Sequence, residues 1–462
     1  MIRQHRLRSK MLMENEQMLK RKVYKQLKQW VDKKKTKCLI VQGARQVGKT
    51  YIIERFAEEN YEEIVEINFK QTPSAVEIFS GDLTVENMIM ALRFRFPEKE
   101  IQPDKTLIFL DEIQECQEAI TSLKFWAVDN RFDVIVSGSL LGIDYNRASS
   151  YPVGYVDYLK MYGLDFEEFL WGMGITEEMI GPLRSCLNTL TAIPEPVHKQ
   201  MMRYYRLFLA TGGMPEAVQT YIDIKDFRKV DAVQRNLLQG YLYDIAHYAT
   251  AEEKVKAEKC YLTLAKQLLD KENHKFQYKE IEHGARAQKY YSSIEWLLRA
   301  DIVHLCRRVT DIKYDLDDYV REDFFRAYTT DLSLLIAMKD FAIKQHIIEN
   351  TLWGNTKGGL YECAIADTLY KKGFPLYFYK NESKKREIDF IIQVNGQVVP
   401  VEVKSGNTKA KSLNTIIKNQ NGINYAYKFV DRNIGYNDDG VITLPLYMAA
   451  FFGQENLYLS IP

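Results

Sequence analysis

Gly43-Ala-Arg-Gln-Val-Gly-Lys-Thr50 is the stretch on which the reading of the fold turns. It has the form G-x-x-x-x-G-K-[ST]. The apolar run Cys38-Leu-Ile-Val-Gln42 precedes it, and Tyr51–Glu59 follows with helical spacing. Strand, glycine loop, helix is the context in which such a loop cradles phosphate. The glycines let backbone N–H groups turn inward around phosphate oxygens without a side-chain clash. The helix N-terminus adds the positive end of its dipole. In this reading Gly43, Ala44, Arg45, Gln46, Val47, Gly48, Lys49 and Thr50 bind ATP. Lys49 reaches the β- and γ-phosphates and acts in catalysis, and the Thr50 hydroxyl ligates Mg²⁺. Arg45 and Gln46 either touch phosphate or brace the loop, and the sequence does not choose.

Outward from that loop, Thr106-Leu-Ile-Phe-Leu-Asp111-Glu112 is a hydrophobic run that empties into two carboxylates. A Walker B strand needs this arrangement: Asp111 completes the Mg²⁺ shell and Glu112 polarises the attacking water. Asp133-Val-Ile-Val-Ser137-Gly-Ser139 reads as the next parallel strand. Ser137 or Ser139 at its end either senses the γ-phosphate or closes a simple turn. The chain from Leu164 to about residue 250 has helical spacing, broken at Thr211-Gly-Gly-Met-Pro215. That break reads as a helix stop and restart, because proline suits a first turn. These helices are either a lid over the nucleotide or inter-domain packing. Tyr278–His283, a turn near Gly284 and Tyr290–Leu298 have helix-turn-helix spacing, and Ile302–Cys306 would begin a wing. Such an element either reads DNA, through Arg286, Lys289 and Arg299, or packs domains together.

Toward the C-terminus, Glu387-Ile-Asp389-Phe-Ile-Ile-Gln-Val-Asn395-Gly396-Gln-Val-Val-Pro-Val-Glu402-Val-Lys404 carries a hairpin signal at Asn-Gly. With a two-residue loop Val394 opposes Gln397, so Asp389 falls opposite Glu402 and Glu387 opposite Lys404. Opposed residues share a face, with Cβ atoms about 5 Å apart. Two carboxylates that close repel unless a cation intervenes. Mg²⁺ held by Asp389 and Glu402, with Glu362 from the apparent helix opening at Gly358, would suit phosphodiester hydrolysis, and Lys404 would stabilise developing charge. The plainer reading is a cross-strand salt-bridge face.

The chain has 462 residues, enough for roughly three domains at about 150 each. Its 63 Lys+Arg balance 62 Asp+Glu, a net charge of +1, which argues against a uniformly basic nucleic-acid coat. Hydrophobic residues make up 46%, so several cores can be buried and wholesale disorder is excluded. The neutrality is a sum of unlike parts. Residues 1–37 hold 13 Lys/Arg against three acids, +10, which leaves −9 for the rest. Within Met18–Val31, Leu19, Val23, Leu27 and Trp30 recur at helical spacing. The basic segment is either a nucleic-acid-contacting arm or a helix whose cations meet the acidic remainder. Six scattered cysteines form no C-x-x-C pair, which fits buried thiols in a reducing cytoplasm. No stretch approaches the roughly 18 apolar residues of a membrane span, so no membrane partner is expected.

As an ordered set, these motifs resemble a family of prokaryotic ATP-binding proteins. Its members join an AAA-type P-loop domain to a C-terminal domain of unknown function that looks like the PD-(D/E)xK restriction-endonuclease fold. The matching stretches are Gly43–Thr50, Leu110–Gln114, Ser137–Ser139, Gly212-Gly-Met-Pro-Glu216, Glu387–Asp389 and Val401-Glu-Val-Lys-Ser405. The resemblance implies Mg-ATP at Lys49, Thr50, Asp111 and Glu112, and a nuclease-like metal site at Glu362, Asp389, Glu402 and Lys404. Many relatives carry Gly-Arg after the Ser-Gly-Ser strand, where this chain has Gly154-Tyr155. Turnover is therefore expected to be slow, or to draw on a partner's arginine. The expected architecture is α/β and multidomain. It runs as a basic helix at 1–35, a P-loop core at 36–165, a helical lid at 166–250, a winged-helix-like segment at 251–330 and a nuclease-like domain at 331–462. The expected function is an ATPase coupled to nucleic acid, DNA first, with Mg²⁺-dependent nuclease activity. The alternative is a nucleotide-dependent switch, acting on DNA or a protein partner, whose C-terminal domain cuts nothing.

Overall fold

The computed structural model describes residues 19–33, 36–138, 152–250, 252–269, 275–381, 386–394, 396–406, 410–420, 422–437 and 439–452. Most of the basic N-terminal segment, Ser139, Tyr151 and Asn395 lie outside the described residues. Helix α1 (Val23–Asp32) belongs to the basic segment, and it buries Val23, Leu27 and Trp30. The strand β1 (Cys38–Gln42) follows, then α2 (Lys49–Asn60), β2 (Glu63–Asn68), α3 (Val85–Arg95), β3 (Thr106–Asp111), α4 (Gln117–Asp129), β4 (Asp133–Gly138) and β5 (Val156–Lys160). The five strands form one parallel sheet in the order β2-β3-β4-β1-β5. Leu107, Ile108, Phe109 and Leu110 of β3 are all fully buried. Such continuous apolar runs are needed when helices cover both faces of a parallel sheet.

The middle of the chain is helical: α5 (Phe166–Gly172), α6 (Glu177–Thr189), α7 (Glu195–Thr211), α8 (Pro215–Ile224), α9 (Phe227–Tyr248), α10 (Glu253–Leu262) and α11 (Leu264–Leu268). The stop and restart at Gly-Gly-Met-Pro falls where the sequence places it, between Thr211 and Pro215. The chain continues through α12 (Ala287–Arg299), β6 (Val303–Val309), β7 (Val320–Thr329), α13 (Leu332–Ala337), α14 (Ala342–Ile348) and α15 (Gly354–Lys371). Then come β8 (Tyr377–Asn381), β9 (Arg386–Val394), β10 (Gln397–Val403), α16 (Lys411–Asn419), β11 (Ala426–Val430), β12 (Gly435–Tyr436) and β13 (Val441–Pro445). Strands β6 to β13 make a mixed eight-stranded sheet, ordered β12-β13-β11-β10-β9-β8-β6-β7.

Two expectations are corrected here. Tyr278–His283 does not form an α-helix: within that stretch there is a single 3₁₀ turn, Tyr278–Glu280, ahead of α12. The strand expected as a wing is β6, paired with β7 on one side and β8 on the other. Val303, His304, Leu305 and Cys306 are buried one after another along it. Both its faces therefore need cover, which a sheet interior supplies and a solvent-facing wing does not. A boundary at 330 would cut through the second sheet, since β6 and β7 lie before it and β8 to β13 after it. Among the described residues, no packing boundary separates the middle helices from that sheet either. One apolar core joins Leu27 of α1, Val41 of β1, Phe208 of α7, Tyr241 of α9, Leu360 and Leu369 of α15, and Val401 of β10. A second core fills the other face of the first sheet, around Phe69, Leu110, Trp126 and Val136.

Candidate functional site

The first site sits at the carboxyl ends of β1 and β3, where an open parallel sheet places its ligands. The loop between β1 and α2 takes a left-handed backbone at Gln46 (φ 62°) and Gly48 (φ 91°). At Gly43 a Cβ would lie 2.1 Å from the Met161 carbonyl oxygen, so only glycine lets the chain leaving β5 pass this close. Ala44 and Val47 are buried, and neither lines the cleft described below. Lys49 Nζ donates to the carbonyls of Gly43 and Ala44, both at 2.9 Å. Burial lowers its pKa to about 8, against the pull of Glu112, Asp111 and Asp301.

Asp111 is the centre of the site. Its Oδ2 accepts from Thr50 Oγ1 at 3.1 Å and from Asn68 Nδ2 at 2.9 Å. Its Oδ1 accepts from the Ser137 hydroxyl and from the Glu112 N–H. Ser137 thus holds Asp111. Hydroxyl and carboxylate oxygens together are the hard donors that Mg²⁺ takes, and Thr50 beside Asp111 fits that ion. Glu112 has a left-handed backbone (φ 53°) and an ion pair with Lys70 at 2.7 Å. Burial raises the Glu112 pKa, but Lys70 and Gln114 outweigh it and hold the carboxylate below its ordinary range. A cleft of about 420 Å³ opens over these groups, lined by Arg45, Gln46, Gly48, Lys49, Thr50, Tyr51, Lys70, Asp111, Glu112 and Asp244.

Some of these groups could not be found from sequence. Asp244 comes from α9 and pairs with Arg45, whose carbonyl accepts from the Tyr241 hydroxyl at 2.9 Å. Arg45 therefore braces the loop against α9. Arg21, just before α1, donates to the Val47 carbonyl at 3.1 Å and to the Tyr162 carbonyl at 2.6 Å. Its neighbour Lys22 pairs with Glu167 at 2.6 Å and with Asp165. The cations at the start of α1 thus meet acids of this chain. Tyr155, in the place of the relatives' arginine, packs against the second core with Lys124 over its ring, and it does not line the cleft.

Polar contacts tie the neighbourhood of this loop to the C-terminal half. Asp331 is 1% exposed. Its Oδ1 accepts from the N–H of Gly213 at 2.9 Å and of Ser333 at 2.8 Å, and its Oδ2 pairs with Lys371 at 2.9 Å. Lys371 also pairs with Asp367 at 2.9 Å. The Gly213 carbonyl accepts from the N–H of Leu164 at 2.6 Å. Asp301 accepts from Lys160, at the end of β5, at 2.8 Å and from the Tyr370 hydroxyl of α15 at 3.2 Å.

The second candidate site lies on the eight-stranded sheet. The pairing of β9 with β10 runs from Gln397↔Val394 to Val401↔Phe390, the register read from Asn-Gly. Glu362, Asp389, Glu402 and Lys404 come to one region, since the first three all act on the charge of Lys404. Burial opposes that charge, yet the carboxylates raise the Lys404 pKa. The expected roles fare differently. Lys404 binds Glu402 at 2.5 Å, and Asp389 Oδ2 accepts from the Val403 N–H at 2.8 Å. Glu387 does not reach toward Lys404: it pairs with Arg326 at 2.6 Å and Lys380 at 3.5 Å, because β8 sets Lys380 opposite it. Glu362 accepts from Arg326 at 2.7 Å and from the Tyr328 hydroxyl at 2.8 Å. Among the described residues, no three carboxylate, histidine or cysteine side chains are placed to hold a metal ion. The residues there do not fit the expected Mg²⁺, because a guanidinium, that of the buried Arg326, stands among the carboxylates. Arg326 was the residue missed; its one sequence signal is a cation inside the otherwise apolar stretch Phe324-Phe325-Arg326-Ala327-Tyr328.

Residues 35–170 match the family model of an AAA domain. Residues 202–345 and 357–448 match two models described as domains of unknown function, DUF8612 and DUF4143. The first sheet and its glycine loop are those of an AAA-type P-loop domain. No curated protein matches the chain. Among solved structures, AMPPCP-bound DnaA from Aquifex aeolicus is 12% identical, covering 60% of this chain and 86% of its own at a TM-score of 0.28. Cdc6p from Pyrobaculum aerophilum is 13% identical, covering 71% and 92% at a TM-score of 0.23. Likenesses this distant carry nothing about activity. No helix among the described residues is long and apolar enough to cross a membrane.

Proposed function

We propose that the chain binds Mg-ATP in the first cleft and hydrolyses it, and that the nucleotide state is passed to the C-terminal half, which engages nucleic acid. The observation that carries the ATPase reading is the convergence of Lys49, Thr50, Asp111 and Glu112 on one cleft. The loop N–H groups and Lys49 bind the phosphate chain, Thr50 and Asp111 would hold Mg²⁺, and Glu112 takes a proton from the attacking water. Bound Mg²⁺ supplies charge neutralisation at the β- and γ-phosphates. Gly213 and Asp331 give the nucleotide state a route to α15 and the second sheet.

For the C-terminal site, Arg326 on Glu362 favours the reading in which the nuclease-like arrangement binds without cutting. DNA is the first partner to test, with the basic N-terminal segment as its electrostatic anchor. The experiment has two arms. Glu112→Gln should abolish hydrolysis and keep ATP binding; unchanged hydrolysis removes Glu112 as base. Plasmid DNA incubated with the protein, Mg²⁺ or Mn²⁺, with and without ATP, should be bound and left intact. Cleavage lost in Lys404→Ala would instead establish a working nuclease.

A further inference from the structure

Three of the residues lining the nucleotide cleft are cations, and each is held differently. Lys49 lies on the carbonyls of its own loop. Arg45 is tied to Asp244 and, through its carbonyl, to Tyr241. Lys70 is bound to Glu112.

The backbone of Lys70 is held by Asn68, and its side chain by ion pairs with Glu112 at 2.7 Å and Glu115 at 4.0 Å. Asn68 Oδ1 accepts the N–H of Lys70 at 3.1 Å and of Gln71 at 3.0 Å, while Asn68 Nδ2 donates to Asp111. The start of the Lys70 side chain is thereby registered to the carboxylate at the centre of the site. Beyond it is a flexible four-carbon stem, and the side chain is 43% exposed. The carboxylate that it holds, Glu112, also receives Gln114 Nε2 at 2.5 Å. Held by two donors, Glu112 has less lone-pair capacity left for a water. A γ-phosphate, with more charge than one carboxylate, competes for the ammonium.

We propose that Lys70 is the cis-acting cation of phosphoryl transfer, filling the role left open by Tyr155. With ATP bound, Nζ moves from Glu112 to a γ-phosphate oxygen. Water oxygen then bonds to the γ-phosphorus as the bond to the β–γ bridging oxygen breaks. ADP leaves with that electron pair, the water proton passes to Glu112, and Lys70 stays protonated throughout. This rests on the ATPase reading above.

The test uses the full chain, with Lys70→Met and Lys70→Arg, measuring kcat and the Kd values of ADP and a non-hydrolysable ATP analogue. For Lys70→Met, kcat should fall by about 100-fold or more, the loss seen when one donor to a transition-state oxyanion is removed. The analogue should bind about tenfold more weakly while ADP, which lacks the γ-phosphate, binds as before. Lys70→Arg should recover most of kcat. Equal weakening of ADP and analogue would overturn the proposal, since that is only general attraction, and so would an unchanged kcat. If the wild type binds both nucleotides but hydrolyses nothing, the ATPase reading fails, and the ADP-to-analogue ratio still decides whether Lys70 touches the γ-phosphate. If the wild type binds neither, both fall.

Discussion

Replacing Asp331 probes how firmly the nucleotide cleft is joined to the rest of the chain. Its carboxylate satisfies two backbone N–H groups, of Gly213 and Ser333, and one buried ammonium, Lys371. In Asp331→Ala both N–H groups lose their acceptor in a buried place, at about 1–2 kcal/mol each. Lys371 keeps Asp367 and the Leu164 carbonyl but loses one of its two carboxylate partners. Weakening a buried pair adds a similar amount, for roughly 4 kcal/mol in all. Asp331→Asn keeps an oxygen for the two N–H groups and loses only the ion pair, so it should cost about half as much. Urea unfolding followed by tryptophan fluorescence measures both. A loss under about 1 kcal/mol for alanine, or equal losses for the two variants, would refute this account of Asp331. The same variants should weaken ATP binding, because Gly213 sits just before Pro215, whose ring lies beside Gly48.

Other outcomes are expected. Gly43→Ala should abolish nucleotide binding in a titration, since its Cβ would meet the Met161 carbonyl. Arg326→Met strips the guanidinium from the buried Glu362 and the half-buried Glu387, and should cost about 3–5 kcal/mol in urea unfolding. Burial, and then the neighbouring Glu66, raise the Glu54 pKa to about 7. The folded chain therefore holds that proton more tightly than the unfolded one, and this group's contribution to stability falls as pH rises from about 4.3 toward 7. Glu54→Gln should raise the melting temperature at pH 8 and leave it nearly unchanged at pH 4; the reverse order would contradict the shift.

The parts of the fold that were legible in sequence are those fixed by neighbours in the chain. Cys38–Gln42 before the glycine loop and Thr106–Asp111 before Glu112 are strands because an apolar run meets a polar end. The register of β9 on β10 is the one a two-residue Asn-Gly connection demands. What was illegible comes from far away. Lys70, Asp244 and Arg21 reach the cleft and its loop from three other parts of the chain, and nothing near each residue marks it. Arg326 meets Glu362 across 36 positions of sequence, so spacing alone could not place a guanidinium beside that carboxylate. The place of β6 was illegible for a related reason: a short apolar strand reads alike at the edge of a small domain and inside a large sheet.

The second sheet bears on how the chain is made. A ribosome adds about 5–20 residues per second, N-terminus first. The strands of the first sheet are complete once β5 has emerged, ending at Lys160. The strand β6 is different, because its parallel neighbour β8 begins only at Tyr377 and the sheet closes with β13 at Pro445. For that interval β6 has β7 on one side and an unpaired edge on the other, the situation in which nascent chains depend on holding factors. Asp331 and Lys371 also arrive late, so the glycine loop leaves the ribosome well before the contacts that tie its surroundings to the second sheet exist.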